Sequence, residues 1–126
     1  MHTLAPGWEL EVGRGPGWLV VKVTEPPADA SEPSPLADQI WSLLEEHLIY
    51  RVVLELGQIP LVDSRLLGQL ILLQKRIREH GGMLRLCGLS PFNQEVVETH
   101  RLGGHLPCYN DLEEAVMGAA FPNRPR

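Results

Sequence analysis

The fold is decided by residues 51–82, which read RVVLELGQIPLVDSRLLGQLILLQKRIREHGG. Arg51 to Leu56 is short and rich in aliphatic and β-branched residues, which is typical of a buried central strand. Pro60 prevents ladder pairing in the loop that follows. Ser64 to His80 then predicts a long amphipathic helix, and Gly81-Gly82 ends it. The apolar stripe of this helix consists of Leu66, Leu70, Leu73 and Ile77.

Upstream of this stretch the sequence predicts a β-hairpin. Trp8 to Val12 alternates apolar and charged residues, and Trp18 to Val23 is mostly apolar and β-branched. The glycine-rich turn Gly13 to Gly17 joins them. Thr24 to Pro35 is polar and contains several prolines, so we expect a surface loop there.

A serine followed by proline predicts the start of two helices, with serine as the N-cap and proline as the first helical residue. Ser34-Pro35 opens a helix whose apolar residues recur at helical spacing from Leu36 to Leu48. Ser90-Pro91 opens a second helix that continues to about His100.

The remaining segments predict two short strands and a last helix. Met83 to Cys87 (MLRLC) is the next strand, and Leu106 to Tyr109 is a short edge strand. Asn110 with Glu113 resembles a capping box, which opens the last helix. The tail, residues 121–126, is expected to fray.

The predicted order is therefore β, β, α, β, α, β, α, β, α. Alternating strands and helices imply right-handed crossovers and parallel pairing, while the hairpin adds an antiparallel strand. The fold class is α/β: a mixed sheet flanked by about four helices. A chain of 126 residues can bury a core without disulfides, so we expect one domain over 1–126, with its core at about 8–120.

Composition excludes several classes of function. The chain has 11 Lys and Arg against 16 Asp and Glu, a net charge of −5, which argues against a nucleic-acid binder. No apolar run approaches the ~20 residues that span a bilayer, so no membrane insertion is expected. Met1 to Gly7 lacks the features of a secretory signal. We therefore expect a cytoplasmic protein in which Cys87 and Cys108 are free thiols.

Asp63-Ser64 is the candidate site, because it directly precedes the longest helix. The leading amides of a helix and its dipole favour an anion, so a phosphoryl group on Ser64 would lie against them. An added phosphate beside Asp63 would change the local charge sharply. The alternative is that Ser64 only caps the helix, since serine is among the preferred N-caps.

Several motifs together resemble the STAS domain of bacterial anti-sigma factor antagonists. Val52 to Gly68 (VVLELGQIPLVDSRLLG) resembles a strand that leads through a loop into an Asp-Ser-x-Gly-Leu-Gly motif. The basic helix ending in Gly81-Gly82, the segment MLRLCGLSP at 83–91, RLGG at 101–104 and DLEEA at 111–115 follow in the family's order. The resemblance extends from about residue 12 to 118 and implies the STAS fold.

The resemblance also implies a function. In this family the serine of the motif accepts a phosphoryl group from an anti-sigma factor that is also a serine protein kinase, and phosphorylation releases that partner. Ser64 matches this serine, and Asp63 matches the neighbouring acid. Leu66 stands where the motif has glycine, and Arg65 where it has a small residue. Leucine at this position resembles stressosome-type STAS proteins, so the alternative is a scaffold subunit of a stressosome-like or lipid-transport complex, including a homo-oligomer, without phosphoswitching.

A partner-binding face is predicted independently of the family. Arg65, Gly68, Gln69 and Leu72 share the side of the helix opposite its apolar stripe. Leu72 is expected to be exposed there, and Gly68 permits close approach. The alternative is that Leu72 is exposed by chance, since single apolar residues are common on protein surfaces.

Enzymatic chemistry is not expected. His100, His105 and Cys108 lack the spacing of a metal site. Val62 and Leu66 occupy the glycine positions of a hydrolase nucleophile elbow around Ser64. No cofactor motif is recognised, and we predict a non-enzymatic interaction module.

Overall fold

In the computed structural model, residues 8–15, 17–25, 35–99 and 106–117 are described. They form five strands and four helices in the predicted order, and most boundaries lie within two residues of those predicted. The strands are β1 (Glu9–Gly15), β2 (Trp18–Thr24), β3 (Arg51–Glu55), β4 (Met83–Cys87) and β5 (Cys108–Tyr109). The helices are α1 (Leu36–His47), α2 (Ser64–Glu79), α3 (Pro91–Thr99) and α4 (Leu112–Met117).

One mixed sheet organises these elements. Its strand order is β1-β2-β3-β4-β5; β1 pairs antiparallel with β2, and all the other pairs are parallel. Strands β2 to β5 therefore end at the same edge of the sheet, which we call the carboxyl end. The opposite edge, where these four strands begin, is the amino end.

Each face of the sheet has its own packing. Leu19, Val52, Leu54 and Leu86 point to the face covered by α1 and α2, where the large aliphatic core lies. On the other face, Trp18, Val53 and Cys87 pack against Ala115 of α4. The guanidinium groups of Arg51 and Arg85 lie over the Trp18 ring, at 4.7 and 4.5 Å from its centroid. The aliphatic face of the sheet is therefore the one against which the predicted apolar stripes of α1 and α2 pack.

Two predicted helix starts are corrected by one residue. Pro35 is the N-cap of α1 rather than its first residue, and it has no side-chain capping bond. At α4 the capping pair is Asp111 and Glu114, because the Asp111 carboxylate accepts from the Glu114 amide at 2.9 Å. The predicted cap of α3 is confirmed: the Ser90 hydroxyl accepts from the Asn93 amide at 3.1 Å.

The predicted glycine stop of α2 is confirmed. Gly81 adopts a positive φ of 77°. Gly82 donates to the Ile77 carbonyl at 2.9 Å, and a Cβ on Gly82 would collide with the backbone of Tyr50. Glycine at position 82 thus allows α2 to approach the start of β3 closely.

Several predictions lie outside the described residues: most of the loop at 24–35, the motif at 101–104, His100, His105 and the tail at 121–126. Among the described helices, none combines the length and apolar character needed to cross a membrane.

Candidate functional site

The candidate site lies at the carboxyl end, where the loop after β3 enters α2. Asp63 is the N-cap: its backbone is extended (φ −96°, ψ −179°), and its carboxylate accepts from the Leu66 amide at 2.9 Å. Ser64 is the first helical residue and is exposed. The alternative that Ser64 only caps the helix is therefore wrong, because the neighbouring aspartate does so.

The charge around Ser64 has two opposing sources. The start of α2 favours an anion through its amides and dipole, and Arg65 is exposed beside it. Asp63 already supplies a negative charge there, and its carbonyl also accepts from the Leu67 amide at 2.9 Å. The site therefore accommodates a neutral hydroxyl without strain, and a further anion would meet both attraction and repulsion.

The loop that presents Ser64 is fastened by Asn93 of α3. This side chain is buried, with 1% of its surface exposed. Its Oδ1 accepts from the Val62 amide at 2.9 Å, and its Nδ2 donates to the carbonyls of Ile59 at 3.2 Å and Pro60 at 3.4 Å. Asn93 thus sets the path of the loop over several residues and connects α3 to the site. The sequence gives no local signal of this role, because the partners lie 31 to 34 residues away.

The start of the loop is shaped by Glu55. Its Oε1 accepts from the Gly57 amide at 3.4 Å. A Cβ on Gly57 or Gly88 would lie 2.8 or 2.5 Å from the other carboxylate oxygen of Glu55, and Gly88 has a φ of +80°. The two glycines therefore make room for this carboxylate at the carboxyl end.

The structure gives the exposure of the four residues predicted to form a partner-binding face. Arg65 is exposed, Leu72 is 57% exposed, and a Cβ on Gly68 would contact nothing within 4 Å. Gln69 is half-buried, and its Oε1 accepts from the Ala37 amide at 3.0 Å, so its side chain caps the start of α1. Three of the four residues thus form an open face, and the fourth also joins the two helices.

Two exposed apolar residues near the site were not predicted. Leu61 in the loop is 50% exposed, and Phe92 in the first turn of α3 is 61% exposed. The bonds from Asn93 to the loop place these two segments side by side. Both residues add apolar surface to the end of the molecule that presents Ser64.

The cysteines are free and unsuited to nucleophilic chemistry. Burial, with a smaller effect from Glu55 and Asp111, raises the pKa of the Cys87 thiol to about 12. Burial also raises the pKa of the Cys108 thiol to about 12. Both thiols are therefore protonated at neutral pH. Within the described part of the chain, no group of three His, Cys, Asp or Glu side chains is placed to hold a metal ion.

A mixed α/β sheet with an antiparallel first strand, followed by alternating helices and parallel strands, defines the class of domain by its architecture. The STAS domain family model matches residues 9–115, and the chain belongs to this family. BtrV of Bordetella bronchiseptica, named as an anti-sigma factor antagonist, is 38% identical over 71 residues. This match covers 56% of the chain and 60% of the relative's length.

Solved structures share the fold at low identity. RsbS of Moorella thermoacetica superposes with a TM-score of 0.66 at 15% identity, covering 84% of this chain and 92% of that one. A Thermotoga maritima protein named as an anti-sigma factor antagonist gives 0.65 at 15% identity, covering 87% and 93%. A chain from a stressosome architecture gives 0.63 at 18% identity, covering 86% and 94%. These structures confirm the predicted α/β architecture.

Proposed function

We propose that this protein is a non-enzymatic regulatory module of one domain over 1–126. It binds an anti-sigma factor that is also a serine protein kinase, and phosphorylation of Ser64 switches that binding. The observation that carries the proposal is that Ser64 is exposed and that Asp63, not Ser64, caps α2. Family membership and the name of the Bordetella relative support the kind of partner. Such a partner places the protein in the cytoplasm.

The switch has a direct physical basis. A phosphoryl group adds about −1.5 to −2 charges at neutral pH. The surroundings of Ser64 already include Asp63 and the exposed apolar residues Leu61 and Phe92. A partner can cover a neutral hydroxyl and this apolar surface together, whereas covering an unpaired dianion there would carry a large desolvation cost. Phosphorylation is therefore expected to release the partner.

The partner contact is proposed to extend along α2. Arg65, Gly68 and Leu72 form its open side, and Gln69 lies at its edge against α1. Leu72 is large and exposed, and Gly68, one helical turn before it, has open space around it. A partner can therefore make apolar contact with Leu72 while its backbone approaches α2 closely at Gly68.

Incubation with ATP and a candidate anti-sigma factor kinase from the same organism tests the switch by intact-protein mass spectrometry. We expect one added phosphate, which Ser64→Ala abolishes and Ser42→Ala does not, because Ser42 is an exposed serine within α1. Leu72→Glu should weaken capture of the unphosphorylated protein by the same kinase. Phosphate uptake by Ser64→Ala equal to that of the wild type would contradict the proposal.

A second candidate is a scaffold subunit of a stressosome-like or lipid-transport complex without phosphoswitching. The specific observation is Leu66, which replaces the motif's glycine and is buried in the core with 3% exposure. Two structures of similar fold are named as RsbS and as part of a stressosome. A large particle in light scattering, together with no phosphate on Ser64, would favour the scaffold.

A further inference from the structure

The two ends of the sheet carry opposite charge. At the amino end, residues 14–15, 41–51 and 75–85 include six Lys and Arg side chains and three carboxylates. At the carboxyl end, residues 9–11, 22–25, 55–65 and 111–113 include seven carboxylates and two Lys or Arg side chains. One of the amino-end cations, Arg76, pairs with Asp38 at 3.4 Å, and the excess of positive charge remains without it.

Leu48 at the amino end is exposed, and neither its backbone conformation nor packing in the core accounts for a leucine at this position. Leu48 ends α1 in the left-handed conformation, with φ 56° and ψ 35°, where glycine is strongly preferred. It is the one non-glycine residue with positive φ among those described. Its side chain is 77% exposed, so it contributes little to the core. An exposed leucine at this position offers apolar contact to another molecule.

Three aromatic rings pack against one another at the same end of the sheet as Leu48. Tyr50 stacks on His80 at 4.7 Å between ring centroids, and Trp41 meets the same imidazole edge-on at 4.9 Å. The Tyr50 carbonyl accepts from the amide of Met83, whose side chain is 45% exposed. Aromatic groups fixed by one another, beside exposed aliphatic groups, lose little freedom when they are covered.

The carboxyl end has the matching apolar surface. Leu61 is 50% exposed, Phe92 61% and Leu112 39%, and these residues lie at the same end of the sheet as the acidic groups counted above. The two ends therefore combine exposed apolar residues with opposite signs of charge.

We propose that two copies of this chain bind head to tail, with the amino end of one copy on the carboxyl end of the next. Because the two surfaces differ, the contact is heterologous, and a third copy can add to either end. Charge complementarity argues for a second copy as the occupant, since the same chain supplies both signs. This inference does not rest on phosphorylation of Ser64, although the contact would cover the end that presents it.

Sedimentation velocity over a range of concentration and salt tests the contact. The wild type should self-associate, and association should weaken as salt rises because the charges are on the surface. Leu48→Glu puts a carboxylate against the acidic end and should weaken association about tenfold or more. Leu72→Glu is the matched control, because this leucine is 57% exposed but lies outside both ends.

Mixing variants tests the direction of the contact. The double variant Leu61→Asn with Phe92→Asn should also self-associate more weakly than the wild type, because it loses the apolar surface of the carboxyl end; the mixing is done at a concentration at which each variant alone is monomeric. A 1:1 mixture of this variant with Leu48→Glu should form a heterodimer and nothing larger, since one intact pair of surfaces remains. A mixture that stays monomeric, or a wild type that stays monomeric at all concentrations, would overturn the proposal.

Leu48→Gly tests whether weaker self-association could come from loss of folding instead of loss of the contact. Glycine relieves the left-handed backbone, so the melting temperature should rise while self-association falls. An unchanged association constant in this folded variant would remove Leu48 from the contact and overturn the inference. Phosphorylation of Leu48→Glu by the kinase, at a concentration at which this variant is monomeric, remains a separate measurement, so either proposal can fail alone.

Discussion

The carboxyl and amino ends of this sheet are held together in different ways. At the carboxyl end, a buried amide and a capping carboxylate, Asn93 and Asp63, fix the loop before α2 through hydrogen bonds to its backbone. At the amino end, close packing at Gly82 and the stacked rings of Tyr50 and His80 fix the chain. The hydrogen bonds at the carboxyl end fix the backbone of the loop before α2 and leave the Ser64 side chain exposed. Close packing tolerates no added atom, yet it leaves Leu48 on the surface.

The largest effect is expected at the amino end, from Gly82→Ala. The new Cβ would collide with the Tyr50 backbone, so the free energy of unfolding should fall by about 3 kcal/mol or more. Gly68→Ala is the matched control: it lies in open space within α2 and should stabilise by about 0.5–1 kcal/mol. Urea unfolding measures both changes. A mild loss in Gly82→Ala would show that this end can adjust.

Asn93→Leu should give the next largest effect and act at the carboxyl end. It removes the partners of the Val62 amide and the Ile59 carbonyl inside the protein, which should cost about 2–3 kcal/mol. Hydrogen exchange should also accelerate at Val62. Gln94→Ala is the control, because the Gln94 side chain bonds to Glu98 within α3 at an exposed position. Equal stability of the two variants would remove Asn93 as the fastening of the loop.

Asp63→Ala and Ser64→Ala separate the cap from the candidate phosphosite. Asp63→Ala should lower the free energy of unfolding by about 1 kcal/mol, because the Leu66 amide loses its acceptor. Ser64→Ala should change it by less than about 0.5 kcal/mol, since the serine is exposed and is not the cap. Thermal unfolding distinguishes them, and a reversed order would restore Ser64 as the cap.

The smallest effect concerns pH, and it probes the acidity of the carboxyl end. Burial, then the charges of Glu55 and Asp111, raise the pKa of the Cys87 thiol from 9.0 to about 12. Above pH 9 the unfolded chain loses this proton while the folded chain keeps it, so stability should fall as pH rises from 9 towards 12. The loss attributable to Cys87 is about 0.8 kcal/mol at pH 9.5. A Cys87→Ala variant should show a shallower decline in urea unfolding between pH 8 and 10.

The order of strands and helices could be predicted because local chemistry marks it. Gly81-Gly82 and Ser90-Pro91 stand at the helix boundaries observed, and the aliphatic stripe of α2 is buried as its spacing indicates. The position of Ser64 followed from the same marks. Where two capping residues stand side by side, as Asp63 with Ser64 or Asn110 with Asp111, the sequence could not decide which of them caps the helix.

The contacts that were missed join residues distant in sequence. Asn93 looks like an ordinary polar residue of a short helix, and its role depends on a loop more than thirty positions earlier. Gln69 lies on the predicted partner face, but its amide bonds to α1. The left-handed backbone at Leu48 could not be predicted, because glycine, not leucine, is the residue typical of that conformation. Local patterns therefore predict elements, while tertiary contacts decide which side chains are free.

The bond from the Ala37 amide to Gln69 makes the start of α1 a natural reporter on α2. A ligand that draws the Gln69 carboxamide towards itself leaves the Ala37 N–H without its acceptor, even though that ligand touches no part of α1. The nuclear magnetic resonance signal of this single amide would then register occupancy of a neighbouring surface. Its response to titration would distinguish molecules that engage Gln69 from those that cover only the tip of α2.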